Sequence, residues 1–509
     1  MGKAIGIDLG TTYCAVAVLQ ADGKPVILPN SEGSNITPSV VLFPETGSGD
    51  EPLVGEMAKH SAATAPLDVV QFVKRQIGDP SWKFESTNGE SYSPEEISAV
   101  ILKRLKSDAE LALGETVTDA VITVPAYFDD TRRTATKQAG KIAGLNVLRV
   151  LNEPTAAALS YGLDVSANGT VLVYDLGGGT FDVTVMKINN GEFDVLGTDG
   201  NRNLGGFDFD NRIAEYIYEQ LENEGCANAT DDSALSAEIR EKSELAKRSL
   251  TTVAQTTILI SAGGKQYRVK LERSKFEEMT KDLLQTTQEL TEIVLEEAHI
   301  TWNDIDHLLL VGGSTRMPMV RQMMERISGK QASRDINADE AVALGAAIQA
   351  AITNAESTGQ ELDIYNGEAP VISDVTSQAL GVILLDDRGQ DTNFVVIPRN
   401  EKIPTKGSQE ARTVSENQAI VNVQVTQGDD SDINYVTVIG SKELPLPPYP
   451  KGSPIRISYN YDIDQTVFVE LFDLTANKMV GTFEIDRSQN LNDEQVSTAA
   501  KKINSLPIS

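Results

Sequence analysis

Two segments of this chain carry nearly the same pattern. They are AIGIDLGTTYCAVAV at residues 4–18 and LVYDLGGGTFDVTVM at residues 172–186. In each, a strand-like apolar run ends in Asp-Leu-Gly, turns over Gly and Thr, and returns as a second strand. Such an Asp can hold a metal-bound water, while Gly admits phosphate oxygens to backbone N–H groups and Thr adds a hydroxyl. One Gly-Thr turn usually only closes a hairpin. The pair predicts two hairpins that bind a nucleotide–Mg²⁺ complex from opposite sides.

A third segment, LLLVGGSTRMPMV at residues 308–320, is a buried strand that runs into Gly312 and Gly313. Ser314 is predicted to cap a helix that continues to Gly329. Glycines at a strand-to-helix turn allow a base or ribose to lie against the backbone. The chain has no P-loop pattern and no strand-linked G-x-G-x-x-G, so P-loop and Rossmann folds lose support.

Composition limits the class of protein. A chain of 509 residues is expected to form two or three units. The formal net charge of −30 argues against nucleic acid and anionic membranes as partners. No charged-then-apolar signal opens the chain and the longest apolar stretch, residues 341–353, is too short to span a bilayer, so we expect a cytoplasmic protein. Two Cys and three His exclude a disulfide framework and favour a hard cation held by carboxylates, water and phosphate.

Helices and strands alternate as in an α/β protein up to about Glu361. A capping box at Ser93 predicts a helix through Leu113, with Ile97, Ile101, Leu105 and Ala109 facing inward. Seven short alternating runs then indicate a β-sandwich, followed by a helical tail at residues 492–504. The runs are residues 381–385, 394–397, 419–426, 436–439, 455–459, 466–473 and 479–485.

The residues at the two hairpin turns fit phosphoryl transfer to water, which needs charge neutralisation and positioning. Asp8 and Asp175, at matching strand ends, are the candidates for hydrated Mg²⁺. Asp182 follows Thr180 by two residues, so strand alternation places both on one face. The candidates for contact with the β- and γ-phosphates are Thr11, Thr12, Gly177, Gly178, Gly179 and Thr180.

Eight motifs together resemble the seventy-kilodalton heat-shock chaperone family, in its DnaK-like form. They are IGIDLGTT, VPAYFDDTRRTAT, NEPTAAALSYG, VYDLGGGTFD, LGGFDFD, ELAKRSL, VGGSTRMP and DEAVALGAA, in the order expected of that family. The motifs cover residues 1 to about 351, and a weaker match continues to about 496. The resemblance implies an α/β two-lobed ATPase, related in fold to actin and sugar kinases, followed by an all-β sandwich. It also implies ATP or ADP with Mg²⁺ as cofactors, and K⁺ as a further candidate ion.

The resemblance assigns roles that local sequence would not. Lys74, beside Arg75, is more typical of a solvated helix end, yet it matches the family's catalytic lysine. Glu153 could simply offset a helix dipole, yet it matches the glutamate near the attacking water. Pro125 and Arg133 match an interlobe relay.

The segment ELAKRSL has Glu244, Lys247 and Arg248 at a spacing typical of surface ion pairs. The resemblance instead implies that this face contacts adenine, with Thr251 where Ser is usual. The nucleotide-binding residues that the resemblance implies are Gly10, Tyr13, Gly205, Gly206, Glu244, Lys247, Arg248, Thr251, Gly312, Gly313, Ser314, Arg316 and Asp339.

Some positions depart from the family. Tyr13 stands where Asn is usual and the segment 80–92 is short, which weakens the expectation that the usual exchange factor acts here. The linker reads Pro370-Val371-Ile372-Ser373-Asp374 instead of a leucine-rich run. Because proline lacks a backbone donor, we expect weakened strand-like docking of the linker.

The sandwich resembles the family's peptide-binding groove, with Val421 at the central pocket and Val414 beside it. Ala411 replaces a usual Phe, and Asn393 stands where an apolar arch residue is expected to form the rim. Each lost large side chain removes about 1.5–3 kcal/mol of apolar burial. The helical lid is nearly absent, so bound peptides should leave quickly.

The sequence therefore predicts an ATP-dependent molecular chaperone and slow ATPase that binds extended hydrophobic segments of unfolded proteins and serves the stress response. Its units are an ATPase at 1–366, a linker at 367–374, a β-sandwich at 375–487 and a truncated lid at 488–509. A J-domain co-chaperone and a nucleotide exchange factor are further candidate partners. Two alternatives stay open: a non-catalytic or weakly catalytic cofactor of another chaperone, and a sugar kinase of the same fold.

Overall fold

The computed structural model describes residues 3–44, 51–162, 168–226, 229–333, 337–359, 362, 364, 370–462, 466–485 and 490–508. The first α/β unit covers the chain up to residue 162, and a 3-10 helix, Val73–Gln76, lies within it. Its elements are β1 (Lys3–Leu9), β2 (Tyr13–Leu19), β3 (Pro25–Ile27), β4 (Thr37–Pro38), β5 (Val40–Leu42), β6 (Leu53–Val54), α1 (Glu56–His60), β7 (Val69–Gln71), β8 (Phe84–Glu85), β9 (Ser91–Tyr92), α2 (Pro94–Leu113), β10 (Val117–Val124), α3 (Asp130–Ile142), β11 (Asn146–Asn152) and α4 (Glu153–Gly162).

The main sheet of this unit has the order β11-β10-β1-β2-β3, with β4 paired to β2. β1 and β10 run parallel, whereas β1 and β2 form an antiparallel hairpin. The helix predicted to follow Ser93 is confirmed, because the Ser93 hydroxyl accepts from Glu96 N and the Glu96 carboxylate accepts from Ser93 N. The four side chains predicted to face inward from α2 are all buried.

The second α/β unit repeats this pattern. Its sheet has the order β17-β12-β13-β14-β18, with β12 parallel to β17 and antiparallel to β13. Its elements are β12 (Gly169–Leu176), β13 (Phe181–Asn189), β14 (Glu192–Asn201), α5 (Gly206–Asn223), α6 (Ser233–Leu250), β15 (Gln255–Ala262), β16 (Lys265–Glu272), α7 (Arg273–Met279), α8 (Lys281–Glu297), β17 (His307–Val311), α9 (Pro318–Ser328), α10 (Ala341–Thr358) and β18 (Val371–Ser373).

Helices α4 and α10 join the two units. Gly345 of α10 lies so close to Ala156 of α4 that a Cβ there would overlap the Ala156 backbone. Around this contact, one apolar core contains side chains of both sheets, including Val121 from β10 and Val173 and Leu309 from β12 and β17. The packing places the ends of β1 and β12, with Asp8 and Asp175, beside one cleft.

The C-terminal β unit has two four-stranded antiparallel sheets, with the orders β20-β19-β22-β23 and β21-β24-β25-β26. Its elements are β19 (Leu380–Leu385), β20 (Asp391–Ile397), β21 (Thr405–Arg412), β22 (Gln418–Gln427), β23 (Thr437–Tyr449), β24 (Pro454–Tyr461), β25 (Val467–Asp473), β26 (Lys478–Glu484) and α11 (Asp493–Ser505). Val382, Val425, Tyr459 and Leu471 belong to one core that both sheets share.

Each of the seven predicted runs overlaps a strand, and β21 is an eighth that the sequence did not predict. Its residues, TKGSQEAR, contain no large apolar side chain, so the alternating pattern is missing. β23 continues to Tyr449 through Pro445, Pro447 and Pro448. Because β23 lies at the edge of its sheet, the missing proline donors are tolerated.

Strand-like docking of the linker was expected to be weakened by Pro370, yet it is present at residues 371–373. These residues form β18, which pairs in parallel with β14, and Val371 N donates to Gly191 O at 2.9 Å. Pro370 immediately precedes the strand, so its missing donor is not needed for pairing. Linker residues 367–369 lie outside the described residues.

The C-terminal helix was expected as the remnant of a lid, but α11 packs on α2 and α3 of the first α/β unit. Ala499 and Ile503 are buried in the core of that unit. Lys103 of α2 donates to the backbone oxygens of Ile503, Asn504 and Leu506, at 3.1, 3.3 and 2.5 Å. Among the described residues, no helix has the length and apolar character needed to cross a membrane.

Candidate functional site

The turns of the two matching hairpins face each other and touch. Asp8 pairs with Ala15 across the first hairpin, and Asp175 pairs with Asp182 across the second. A Cβ on Gly178 would overlap the Thr12 side chain, and one on Gly179 would overlap Thr11. Glycine at both positions lets the threonine side chains of the first turn lie directly against the backbone of the second. The structure thus brings the turn residues of both units to one place.

A cavity of about 460 Å³ lies beside these turns, between the two α/β units. Of the residues predicted for the ATPase site, Gly179, Gly205, Asp182, Pro125 and Arg133 do not line it, although Gly205 packs directly against Gly179. The predicted residues that line it are Asp8, Gly10, Thr11, Thr12, Tyr13, Lys74, Glu153, Asp175, Gly177, Gly178, Thr180, Gly206, Glu244, Lys247, Arg248, Thr251, Gly312, Gly313, Ser314, Arg316 and Asp339.

Lys74 is not a solvated helix end. It is 5% exposed and lies in the 3-10 helix that follows β7. Its Nζ donates to Glu153 Oε1 at 2.5 Å, and Glu153 is the first residue of α4. Burial opposes the charge of the ammonium group, but the neighbouring carboxylates of Glu153 and Asp8 raise the pKa of Lys74 overall. The cavity therefore contains a fixed cation.

Carboxylates outnumber this cation. Burial, followed by the charge of Glu153, raises the pKa of Asp8 to about 7 and that of Asp182 to about 7. The same two causes raise the pKa of Asp175 well above its ordinary value. Asp182 also accepts from Tyr127 N at 3.0 Å, and Asp8 accepts from the Thr123 hydroxyl at 3.1 Å. The site can therefore stabilise a bound cation.

The donor set fits Mg²⁺ that keeps much of its water. Among the described residues, no three His, Cys, Asp or Glu side chains are arranged to ligate a metal directly. Mg²⁺ often binds through one or two carboxylates, with water and phosphate oxygens as the other ligands. Asp8 and Asp175, at the two strand ends, are the residues that would hold it in this way.

At the far side of the cavity, Lys59 of α1 bridges the two units. Its Nζ lies 2.7 Å from Glu244 Oε2 and 2.8 Å from the Tyr13 hydroxyl. Arg248 lies over the Tyr13 ring at 5.4 Å. Burial opposes ionisation of Glu244, but the charge of Lys59 lowers its pKa overall. These groups form a charged wall with an aromatic face.

Lys247 and Ser314 position backbone segments at this wall. Lys247 Nζ donates to Gly206 O at 2.9 Å and to Asp210 Oδ2 at 2.8 Å. Ser314 does not cap a helix as predicted, because its hydroxyl donates to Gly177 O at 2.9 Å and α9 begins only at Pro318. A 3-10 helix at residues 313–316 occupies the intervening turn.

The remaining predicted residues at this end have modest contacts. Arg316 lies 2.5 Å from the Asp339 carboxylate, and the Thr251 hydroxyl donates to Arg248 O at 2.7 Å. Both residues line the cavity, so they can contact a ligand.

Sequence reasoning missed Lys59 and Asp210, which also line the cavity. Burial raises the pKa of Asp210 to about 6, and its Oδ1 has no hydrogen-bond partner among the described residues. Lys59 lies in none of the eight motifs, and Asp210 ends the motif LGGFDFD without a role assigned to it, because their partners, Glu244 and Lys247, are distant in sequence.

Arg133 belongs to a hydrogen-bonded cluster that also includes Asp374. Its guanidinium donates to Ala126 O at 3.1 Å and to Asn152 Oδ1 at 2.5 Å. Asn152 Nδ2 in turn donates to Asp374 Oδ2 at 2.9 Å, and Asn152 directly precedes Glu153. Pro125 lies next to Ala126, just after β10. Hydrogen bonds therefore join Arg133 and Asp374 to Asn152, which precedes the cavity residue Glu153 in the chain.

The predicted groove residues lie in the C-terminal β unit. Val414 is 50% exposed in the loop before β22, whereas Val421 is 8% exposed and packs in the core. Asn393 is not an exposed rim residue. It is 4% exposed, accepts from Thr426 Oγ1 at 2.6 Å, and donates to Gly428 O and Asp430 O. The polar side chain can be buried because both its amide oxygen and its amide nitrogen make hydrogen bonds.

The comparison with protein families agrees with these features. The family model described as Hsp70 protein matches residues 4–85 and 79–506. Proteins of this family are ATP-dependent chaperones that use ATP or ADP with Mg²⁺ and bind unfolded polypeptides and co-chaperones. The match spans nearly the whole chain, and the chain therefore belongs to the Hsp70 family.

Proposed function

We propose that this protein is an ATP-hydrolysing chaperone of a short form without a helical lid. In this proposal, residues 1–366 form a two-lobed actin-like ATPase, with the first and second α/β units as lobes I and II. Residues 367–374 are the linker, 375–487 a β-sandwich that binds peptide, and 488–509 a short helical tail. The observation that carries the proposal is the pair of facing Asp-Leu-Gly hairpins beside the buried Lys74–Glu153 pair.

The chain's own residues would divide the work of hydrolysis. The turns at Thr11, Thr12 and Gly177 to Thr180 present backbone N–H groups and hydroxyls to phosphate oxygens. Lys74 places a positive charge where negative charge develops in the transition state. Glu153, fixed at the start of α4, can orient an attacking water. Bound Mg²⁺ would neutralise phosphate charge, and the carboxylate excess also suits K⁺ as a second cation.

The nucleoside would lie at the opposite end of the cavity. The backbone at Gly312 and Gly313 offers a flat surface, and Glu244, Lys247 and Arg248 line the facing wall. The unpartnered Asp210 Oδ1 supports a polar ligand at this end, because buried acceptors are normally satisfied.

Hydrolysis would be coupled to the β-sandwich through the linker. The path Arg133–Asn152–Asp374 supports this, as do two side chains of the second α/β unit that Arg399 of the C-terminal β unit contacts, Asp199 and Glu297. An extended apolar peptide would bind near Val414, where Ile420 is also exposed.

A phosphate-release assay tests the proposal. The purified chain should release phosphate from ATP in Mg²⁺, slowly and equally with and without glucose or glycerol, and Lys74→Ala should not. A sugar kinase transfers the phosphoryl group to the sugar, so ADP formation that depends on glucose or glycerol without matching phosphate release would indicate that class. Formation of neither ADP nor phosphate by the wild-type chain would indicate a non-catalytic partner of another chaperone.

A further inference from the structure

Phe72 has an unusual backbone conformation. It lies between β7 and the 3-10 helix that contains Lys74, and its φ is +59°. The left-handed region is unfavourable for a bulky side chain, and such strain persists only where surrounding contacts maintain it. Contacts of the Phe72 ring are therefore expected to maintain this backbone conformation.

The Phe72 ring crosses the cleft and packs on Phe207, the second residue of α5 in lobe II. The ring centroids are 4.6 Å apart at an interplanar angle of 58°. Both side chains line the cavity. We call these two residues the interlobe aromatic pair. The tilted arrangement is one that aromatic rings favour.

Two arginines reinforce the interlobe aromatic pair. Arg75 of lobe I lies over the Phe207 ring at 4.8 Å and donates to Asp208 Oδ1 at 3.2 Å, so it too crosses the cleft. The Arg240 guanidinium of α6 lies 5.8 Å from the Phe72 ring and 5.7 Å from the Phe207 ring. Cations over aromatic rings add to the attraction.

We propose that the interlobe aromatic pair positions Lys74 for hydrolysis and slows the release of nucleotide. The inference rests on the proposed ATPase function and deepens it. Phe72 and Arg75 flank Lys74 in the chain, and both contact lobe II. Closure of the cleft therefore fixes the 3-10 helix from both sides of Lys74. Opening the cleft separates the rings and exposes apolar surface to water, which favours the closed state.

Phe72 and Phe207 are thus positioning residues, and two rates report on them. In Phe207→Ala we expect labelled ADP to dissociate about tenfold faster and single-turnover hydrolysis at saturating ATP to fall about tenfold, in line with the strength of aromatic pairs. Phe207→Leu should recover part of both effects, because it restores apolar contact. Leu245→Ala, at an exposed position of α6, is the control and should leave both rates unchanged.

A double-mutant cycle separates a pair from two independent residues. If the rings act through each other, the double variant Phe72→Ala/Phe207→Ala should be no worse than the more impaired single variant. Additive effects, or wild-type rates in Phe207→Ala, would overturn the proposal.

Failure of this proposal can be distinguished from failure of the ATPase proposal. A wild-type chain that binds ADP without hydrolysing ATP contradicts the ATPase, whereas the ADP dissociation rate still tests the pair. Thermal melts of each variant show whether it is folded. If Phe207→Ala does not fold, the two rates are measured in Phe207→Leu instead.

Discussion

Lys74 Nζ lies 2.5 Å from Glu153 Oε1, although the two residues belong to separate elements, a 3-10 helix and the start of α4. Both side chains are largely buried, with 6% and 10% exposure. The cost of removing two charges from water largely offsets their attraction, so a buried ion pair is weak evidence for a purely stabilising role. Its place beside two facing hairpins indicates a role in the chemistry of the site.

The two hairpin aspartates should be needed for metal-dependent hydrolysis. We expect Asp8→Asn or Asp175→Asn to reduce Mg²⁺-dependent ATP hydrolysis at least about a hundredfold, because an amide cannot neutralise the cation. The fold should persist, since burial already disfavours the ionised form of both side chains. Steady-state phosphate release over a Mg²⁺ titration is the measurement. The exposed Asp387→Asn is a control, and wild-type turnover in Asp8→Asn would contradict the assignment of Asp8 to Mg²⁺.

Stability of the nucleotide-free protein should fall as pH rises. The folded pKa values of Asp8 and Asp182 are raised to about 7, above the value of about 3.9 expected on unfolding. Folding therefore takes up protons, and the free energy of unfolding decreases between about pH 5 and 7 by up to about 1.4 kcal/mol per proton per pH unit. The loss levels off above the folded pKa values. Urea melts from pH 5.5 to 8 measure it, and Asp182→Asn should flatten the slope. An equal slope in that variant would show that Asp182 is not responsible.

The C-terminal helix should stabilise the first α/β unit. Ile503 is fully buried in the core of that unit, so Ile503→Ala should cost about 2–5 kcal/mol of unfolding free energy. Lys103→Met should also destabilise, because it removes the donor to three backbone oxygens of the tail. Urea unfolding of the full chain checks both, with the exposed Lys501→Ala as control. Unchanged midpoints would mean that α11 lies elsewhere in solution.

Peptide release should be fast in both nucleotide states. If the C-terminal β unit binds peptide as proposed, a bound side chain should stay partly in water, because Val414 is exposed and α11 packs on the first α/β unit. A micromolar Kd with association at about 10⁵–10⁷ M⁻¹ s⁻¹ implies dissociation at about 0.1–10 s⁻¹. Stopped-flow release of a labelled apolar peptide measures it, and Ala411→Phe should slow release. Dissociation over many minutes in ADP, sharply accelerated by ATP, would show that the sandwich retains peptides without a lid.

The sequence predicts those parts of the fold in which local pattern and position agree. The hairpins at Asp8 and Asp175 and the capped helix after Ser93 are confirmed, because the apolar periodicity and the turn residues indicate the same elements. β21 is missed because its residues alternate little in hydrophobicity. The position of α11 could not be predicted, since an amphipathic helix does not specify which surface covers its apolar face.

In the site, too, local sequence fails to predict the residues whose positions depend on contacts distant in the chain. Lys74 has the local sequence of an exposed helix end, and only its contact with Glu153, distant in the chain, explains its burial. Asn393 was expected at an exposed rim, yet partners in a later loop satisfy its side chain. Lys59 and Phe72 belong to no motif, because their contacts form only when both lobes are in place.

The most direct test of the account is Lys74→Ala, because it separates nucleotide binding from chemistry. Calorimetry should show nearly wild-type ADP affinity, since the nucleoside end of the cavity is unchanged. Single-turnover hydrolysis should fall by about two orders of magnitude or more, as expected when a contact to the transition state is removed. The exposed Lys83→Ala serves as control. Collapse of ADP affinity with hydrolysis retained by the bound fraction would contradict the account and assign Lys74 to structure alone.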